Sequence, residues 1–259
     1  GEPGDRHRRG DRVIAKLQEP RREEGDEEDL IGDGDGGEEG HRPGVFGAEP
    51  FASLARAEVA EPGAKIQFQG HAKEVRRVCY LPDGSKILSG SADSTARLWD
   101  TKGTELKQIK IDNLPVFGDL SLTADGTKFA VLGKNTDWTV CVFDLNKEKE
   151  LVRWTAFEDS LGLLISPTGR YTAVWSSDNA VRLYDTSTGK PLRKFQFAPE
   201  HLVKSVVFSN DGETLAGVTE TGHLHVWQIT TGKPILLLTK PPVYAATFAA
   251  DGKTLCCRT

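Results

Sequence analysis

From Lys65 onward, apolar and polar residues alternate in short runs, each closed by a turn rich in Gly, Asp or Asn. Val75 to Leu81, Lys86 to Gly90, Thr95 to Asp100 and Glu105 to Lys110 are four such runs in succession. Period-two alternation over so few residues predicts β-strands whose side chains point to opposite faces by turns. No stretch of this region sustains the 3.6-residue period over the ~10 positions a helix would require. An all-β body is therefore expected.

The pattern repeats. Asp83-Gly84, Asp125-Gly126, Thr168-Gly169, Asp211-Gly212 and Asp251-Gly252 are turn dipeptides spaced 42, 43, 43 and 40 residues apart. An aromatic residue follows the start of each of the first four: Trp99, Tyr184 and Trp227 after sixteen residues, Phe143 after eighteen. Four strands per repeat of this length predict one twisted antiparallel sheet per repeat, with copies arranged about a shared axis.

Gly70-His71, Asp83-Gly84 and Trp99-Asp100 together give the first repeat the look of a WD repeat. The chain from about residue 65 to 259 resembles the WD-repeat family of β-propellers, in its bacterial style. The resemblance implies a hydrogen-bonded chain through His71, Ser89, Asp93 and Trp99. An indole N–H and a buried imidazole both need partners, so such a chain makes physical sense. Later repeats depart from the motif. Asn113 and Gly133 stand in the His and Ser places of the second, Ala156 and Val174 in those of the third, and Gly217 and Thr221 in the Ser and Asp places of the fourth. Blades two to four are expected to hold mainly by apolar packing.

The expected fold is a β-propeller of about four complete four-stranded blades plus part of a fifth, since the fifth repeat supplies Val243 to Phe248 and Thr254 to Arg258 before Thr259. In this family the outermost strand of the last blade comes from the start of the repeat region, a role that falls to Ile66–Gln69. A chain that begins at Gly1 and contains no methionine is expected to be a fragment, with further blades missing.

Composition divides the molecule. Residues 1–64 carry nine Lys/Arg against seventeen Asp/Glu and hold twelve of the 27 glycines. Such a segment cannot bury a core, so residues 1–49 are expected to be a disordered, acidic, low-complexity stretch. Residues 50–64 form a linker in which Phe51, Leu54, Ala55 and Val59 have helical spacing; Val13, Ile14 and Leu17 hint at one further helical turn. Residues 65–259 form the propeller. No apolar run reaches the ~18 residues of a membrane helix, and basic residues are scattered instead of clustered. Neither membrane insertion nor nucleic-acid binding is expected, and a cytoplasmic location is.

Chemistry is sparse. Cys79, Cys141, Cys256 and Cys257 show no metal-ligand spacing and read as free thiols. His223 and His225 are two apart on a strand beside Trp227, one ligand short of the usual zinc set. Ser187-Thr188-Gly189-Lys190 and Thr231-Gly232-Lys233 lack the first glycine of a phosphate loop and read as hairpin turns. No catalytic residue, cofactor or metal is expected. The function read from this is a non-catalytic scaffold that binds other proteins or peptides, with oligomeric state left open. The alternatives are a regulatory or sensor propeller of a larger enzyme such as a protein kinase, or a propeller hydrolase with a metal in its channel. Candidate contact residues lie on the face that carries His71 and Asp93: Lys73, Glu74, Arg76, Asn135, Trp138, Phe157, Asn179, Glu200, His201 and Glu220. Trp138 is the best anchor, an indole beside a turn.

Overall fold

A computed structural model describes residues 66–259 and the backbone of residues 12–16. The described residues are all-β. Four sheets have the same antiparallel order, each strand pairing with the next in sequence. Blade one contains β2 (Val75–Tyr80), β3 (Lys86–Ser91), β4 (Thr95–Asp100) and β5 (Glu105–Lys110). Blade two contains β6 (Val116–Leu122), β7 (Lys128–Lys134), β8 (Trp138–Asp144) and β9 (Lys149–Thr155). Blade three runs from β10 (Ser160–Ile165) through β11 (Tyr171–Ser176) and β12 (Ala180–Asp185) to β13 (Pro191–Gln196). Blade four comprises β14 (Val203–Phe208), β15 (Thr214–Thr219), β16 (Leu224–Gln228) and β17 (Pro234–Leu238).

The core lies between blades, not within any one of them. Phe129 and Val131 of β7 pack toward blade one with Leu88, Leu98 and Ile109. Their neighbours Ala130 and Leu132 pack toward blade three with Leu163, Ile165 and Val174. Alternate residues of one strand thus serve two interfaces, as the pleat dictates. Blades three and four meet through Ala173, Phe195, Phe208 and Trp227, and blade four meets the fifth sheet through Val218, Leu224, Phe248 and Leu255. Each fully buried Leu or Phe in these seams is worth roughly 1.5–3 kcal/mol. Because second and third strands are covered on both faces, β7 and β11 are buried almost throughout, whereas β9 alternates between half-buried and exposed. The first strands of successive sheets pack on one another, which fans the blades about an axis. An ion pair of 2.7 Å between Arg77 on β2 and Asp119 on β6 joins the first two blades.

The repeated turn works by a shared local mechanism. Gly84 and Gly126 sit at φ 68° and 66°, where a side chain would be strained. Asp83 and Asp125 accept hydrogen bonds from the amides of Ser85 and Thr127 at 2.9 Å, closing Asx turns. At each repeat's aromatic, the third strand slips register against the fourth (Leu98/Trp99, Val142/Phe143, Leu183/Tyr184, Val226/Trp227). Such bulges sharpen the blade's twist.

Two expectations are corrected at the ends of the sheet system. The fifth sheet has β18 (Ala245–Phe248) and β19 (Thr254–Arg258), but its third strand is β1 (Arg12–Lys16), antiparallel to β19 with Arg12 opposite Arg258. This five-residue run is a strand, not part of a structureless head or a helical turn; its Val13-Ile14-Ala15 core suits a pleated edge better than its charged surroundings suggest. Residues 66–69 form no strand, and Phe68 instead lies edge-on to Trp99 in blade one at 5.7 Å. The remainder of residues 1–49 and the linker at 50–64 lie outside the described residues.

Candidate functional site

The turns β3–β4, β7–β8, β11–β12 and β15–β16 share one face of the molecule with the connections between blades. Hydrogen bonds such as Ile111 N–H to the Ser94 carbonyl, Ala156 N–H to the Trp138 carbonyl and Phe197 N–H to the Asn179 carbonyl tie them together. On this face each blade fills the same place differently.

In blade one the polar chain closes. His71 Nδ1 is 2.9 Å from Asp93 Oδ2, its Nε2 is 2.7 Å from Ser89 Oγ, and Trp99 Nε1 donates to that same oxygen at 2.8 Å. Trp99 is 2% exposed. Every group is satisfied when Nδ1 carries the proton, donating to the carboxylate while Nε2 accepts from Ser89. Burial pushes the Asp93 carboxyl up, but the Thr95 hydroxyl, the Ala72 amide and the His71 ring together outweigh it and hold Asp93 well below the usual carboxylate range.

Blades three and four have polar clusters of their own beside the apolar seams that were expected to hold them. In blade three, Arg182 pairs with Asp178 and donates to Ser176 Oγ at 3.0 Å, while Ser176 donates to Asp178 at 2.6 Å. The Arg182 bonds hold the Asp178 carboxyl far below its ordinary value. In blade four, His201 takes the role of His71. Its Nδ1 is 2.9 Å from Thr221 Oγ1 and its Nε2 is 2.7 Å from His223 Nδ1. Burial, then the neighbouring His201, lowers the His223 pKa. His223 precedes β16 and pairs with His201, not with His225, which stacks on Trp227 at 5.4 Å.

Blade two leaves its Asp unused. Asp137 lies in the β7–β8 turn, and no cluster forms around it because Gly133 faces Leu114 and Pro115: a Cβ there would stand 2.5 Å from Leu114 Cγ. An open cavity of about 470 Å³ adjoins, lined by Lys134, Thr136, Asp137, Trp138, by Thr155 at the end of β9 and by residues 156–159 of the β9–β10 connection. Lys134 Nζ lies 5.5 Å from the Trp138 ring centre. Phe157 is 47% exposed, with the Arg182 guanidinium 3.5 Å from its ring centre. The carboxylates of Asp137, Glu158 and Asp159 make no ion pair or side-chain hydrogen bond among the described residues.

Of the ten contact residues read from sequence, Trp138 and Phe157 line this cavity, and Asn135 shares the β7–β8 turn. Lys73, Glu74 and Arg76 are exposed on blade one, Glu74 and Arg76 forming a 2.9 Å ion pair. Asn179, with φ 57°, bonds the Pro199 carbonyl and Glu200 lies 3.7 Å from His201, so this set and Glu220 lie toward blade four. His201 belongs to the blade-four cluster just described. Lys134, Glu158 and Asp159 were missed. The four cysteines are free, and burial pushes the Cys141 thiol up to about 12. Among the described residues, no group of three or more His, Cys, Asp or Glu is placed to hold a metal ion, and no helix is long and apolar enough to cross a membrane.

Residues 64–100 match the family model described as "WD domain, G-beta repeat". The chain is 27% identical over 182 residues to "WD repeat-containing protein 82" of Drosophila melanogaster, covering 66% of this chain and 55% of that protein. It is 28% identical over 217 residues to "THO complex subunit 3" of Arabidopsis thaliana, covering 79% and 62%. To "Periodic tryptophan protein 2" of the same plant it is 30% identical over 171 residues, covering 64% and 19%. The chain thus spans less than two thirds of the length of each of these relatives. They come from a fly and a plant and do not support the bacterial style read from the sequence. The family-model match on blade one and these relatives together support the WD-repeat family of β-propellers for this chain.

Proposed function

We propose that this chain is a non-catalytic, cytoplasmic protein-interaction scaffold that presents the face carrying His71, Asp93 and Trp138 to partner proteins or peptides. The observation that supports it most is the open cavity of blade two, lined by Trp138 and a half-exposed Phe157 at the end of a rigid sheet. Strands fix positions and loops recognise, and aromatic side chains in a concave patch are the usual anchors of an interface. The relatives' printed names, a subunit of a complex among them, agree with a binding role.

Quantitative affinity capture with the full chain tests the reading. Trp138→Ala is expected to lose a defined set of partners at least tenfold while Tyr80→Ala, on the exposed first strand of blade one, retains it. A partner set unchanged by Trp138→Ala would contradict this use of the face.

A further inference from the structure

We propose that the cavity between the β7–β8 turn and the β9–β10 connection receives the cationic side chain, lysine or arginine, of a basic peptide segment in a partner. The inference rests on the scaffold reading and adds the chemistry of the ligand.

The lining has two features that act together. Trp138 and Phe157 offer aromatic faces, and both already lie beside cations of this chain, Lys134 and Arg182. Rings of this kind attract a cation within ~6 Å of their centres. Three carboxylates, Asp137, Glu158 and Asp159, border the same space against two cations, Lys134 and the Arg182 guanidinium on Phe157, and Arg182 is already paired with Asp178. The contrast with the equivalent positions is informative: the Asp93 and Asp178 carboxylates are held by hydrogen bonds and ion pairs inside their own blades, while the Asp137 carboxylate has none among the described residues.

An anionic ligand would meet three negative groups. A purely apolar one would bury carboxylates without compensating them, which is costly. A metal ion fits poorly, since no group of three potential ligands among the described residues is placed to hold one. A side chain with an apolar stem and a cationic head satisfies both features, the stem lying on the rings and the head among the carboxylates.

The full chain, 15N-labelled, is titrated with acetyl-Gly-Gly-Lys-Gly-Gly-amide and its arginine counterpart, using acetyl-lysine and citrulline versions as neutral controls. The expected result is saturable shifts confined to the amides of residues 134–138 and 155–159, with the neutral peptides about tenfold weaker. Glu158→Gln with Asp159→Asn, both exposed and with side chains that make no hydrogen bond or ion pair among the described residues, should weaken the charged peptides about tenfold and leave the rest of the spectrum in place. Phe157→Ala should weaken both series. Equal binding of charged and neutral peptides, no saturable shift, or shifts elsewhere would overturn the proposal. If peptides fail while Trp138→Ala still loses partners, the cationic ligand falls and the scaffold reading stands. If peptides bind but capture is insensitive to Trp138, the reverse holds.

Discussion

Blades one and two share strand order and seam packing but use one position in opposite ways. In blade one Asp93 is locked into a chain that ends on the Trp99 indole. In blade two Asp137 reaches the same turn and finds nothing to bind, because Asn113 and Gly133 replace the histidine and serine and Phe143 replaces the tryptophan. Phe143 needs no acceptor and stacks on Phe129 at 5.1 Å. The lesson is that a carboxylate retained after its intramolecular partners are gone becomes available to something outside the blade. Blades three and four lie between these extremes, with substitute partners for the lost ones.

The largest effect that would sharpen this contrast is expected from Ser89→Ala. It leaves the Trp99 N–H and the His71 Nε2 buried without a partner, and urea unfolding should show a loss of about 2–4 kcal/mol. A loss below about 0.5 kcal/mol would mean that blade one, too, is held by its seams alone. Next comes Gly133→Ala, which tests whether blade two could ever have built the chain. With Leu114 Cγ and the Pro115 carbonyl oxygen both 2.5 Å from the new Cβ, overpacking should cost about 1–3 kcal/mol in the same assay. A neutral result would show that the loop 111–115 yields and that a serine would be tolerated there.

Much of this architecture was legible because it is written locally. The turn dipeptides, the two-residue alternation and the aromatic at sixteen residues need no knowledge of distant contacts, and they account for eighteen of the nineteen strands among the described residues. His71, Ser89, Asp93 and Trp99 were also readable, since their motif is contiguous within one blade. What escaped the sequence depends on replacement in space. Arg182 on β12 takes over the bond to Asp178 that a histidine ahead of the first strand would make, and His201 bonds a second histidine, His223, that the motif does not contain. The cavity escaped in part for the same reason: Trp138 and Phe157 were visible as aromatics beside turns, but nothing in their spacing shows that Glu158 and Asp159 come to border Asp137's turn. β1 escaped because five strand-compatible residues lie in a segment whose composition argues against any fold.

The smallest stability effect is also the most informative, and it comes from a crossed measurement on two variants, Asp93→Asn and Asp137→Asn. Each is followed by urea unfolding and by titration with the lysine pentapeptide. Asp93→Asn should lose about 1.5–3 kcal/mol of stability, as expected for hydrogen bonds to a charged group, while binding the peptide as the parent does. Asp137→Asn should stay within about 0.5 kcal/mol of the parent and bind the peptide several-fold more weakly. If both variants lose stability alike, or if neither changes peptide binding, the two blades do not divide the position between structure and recognition.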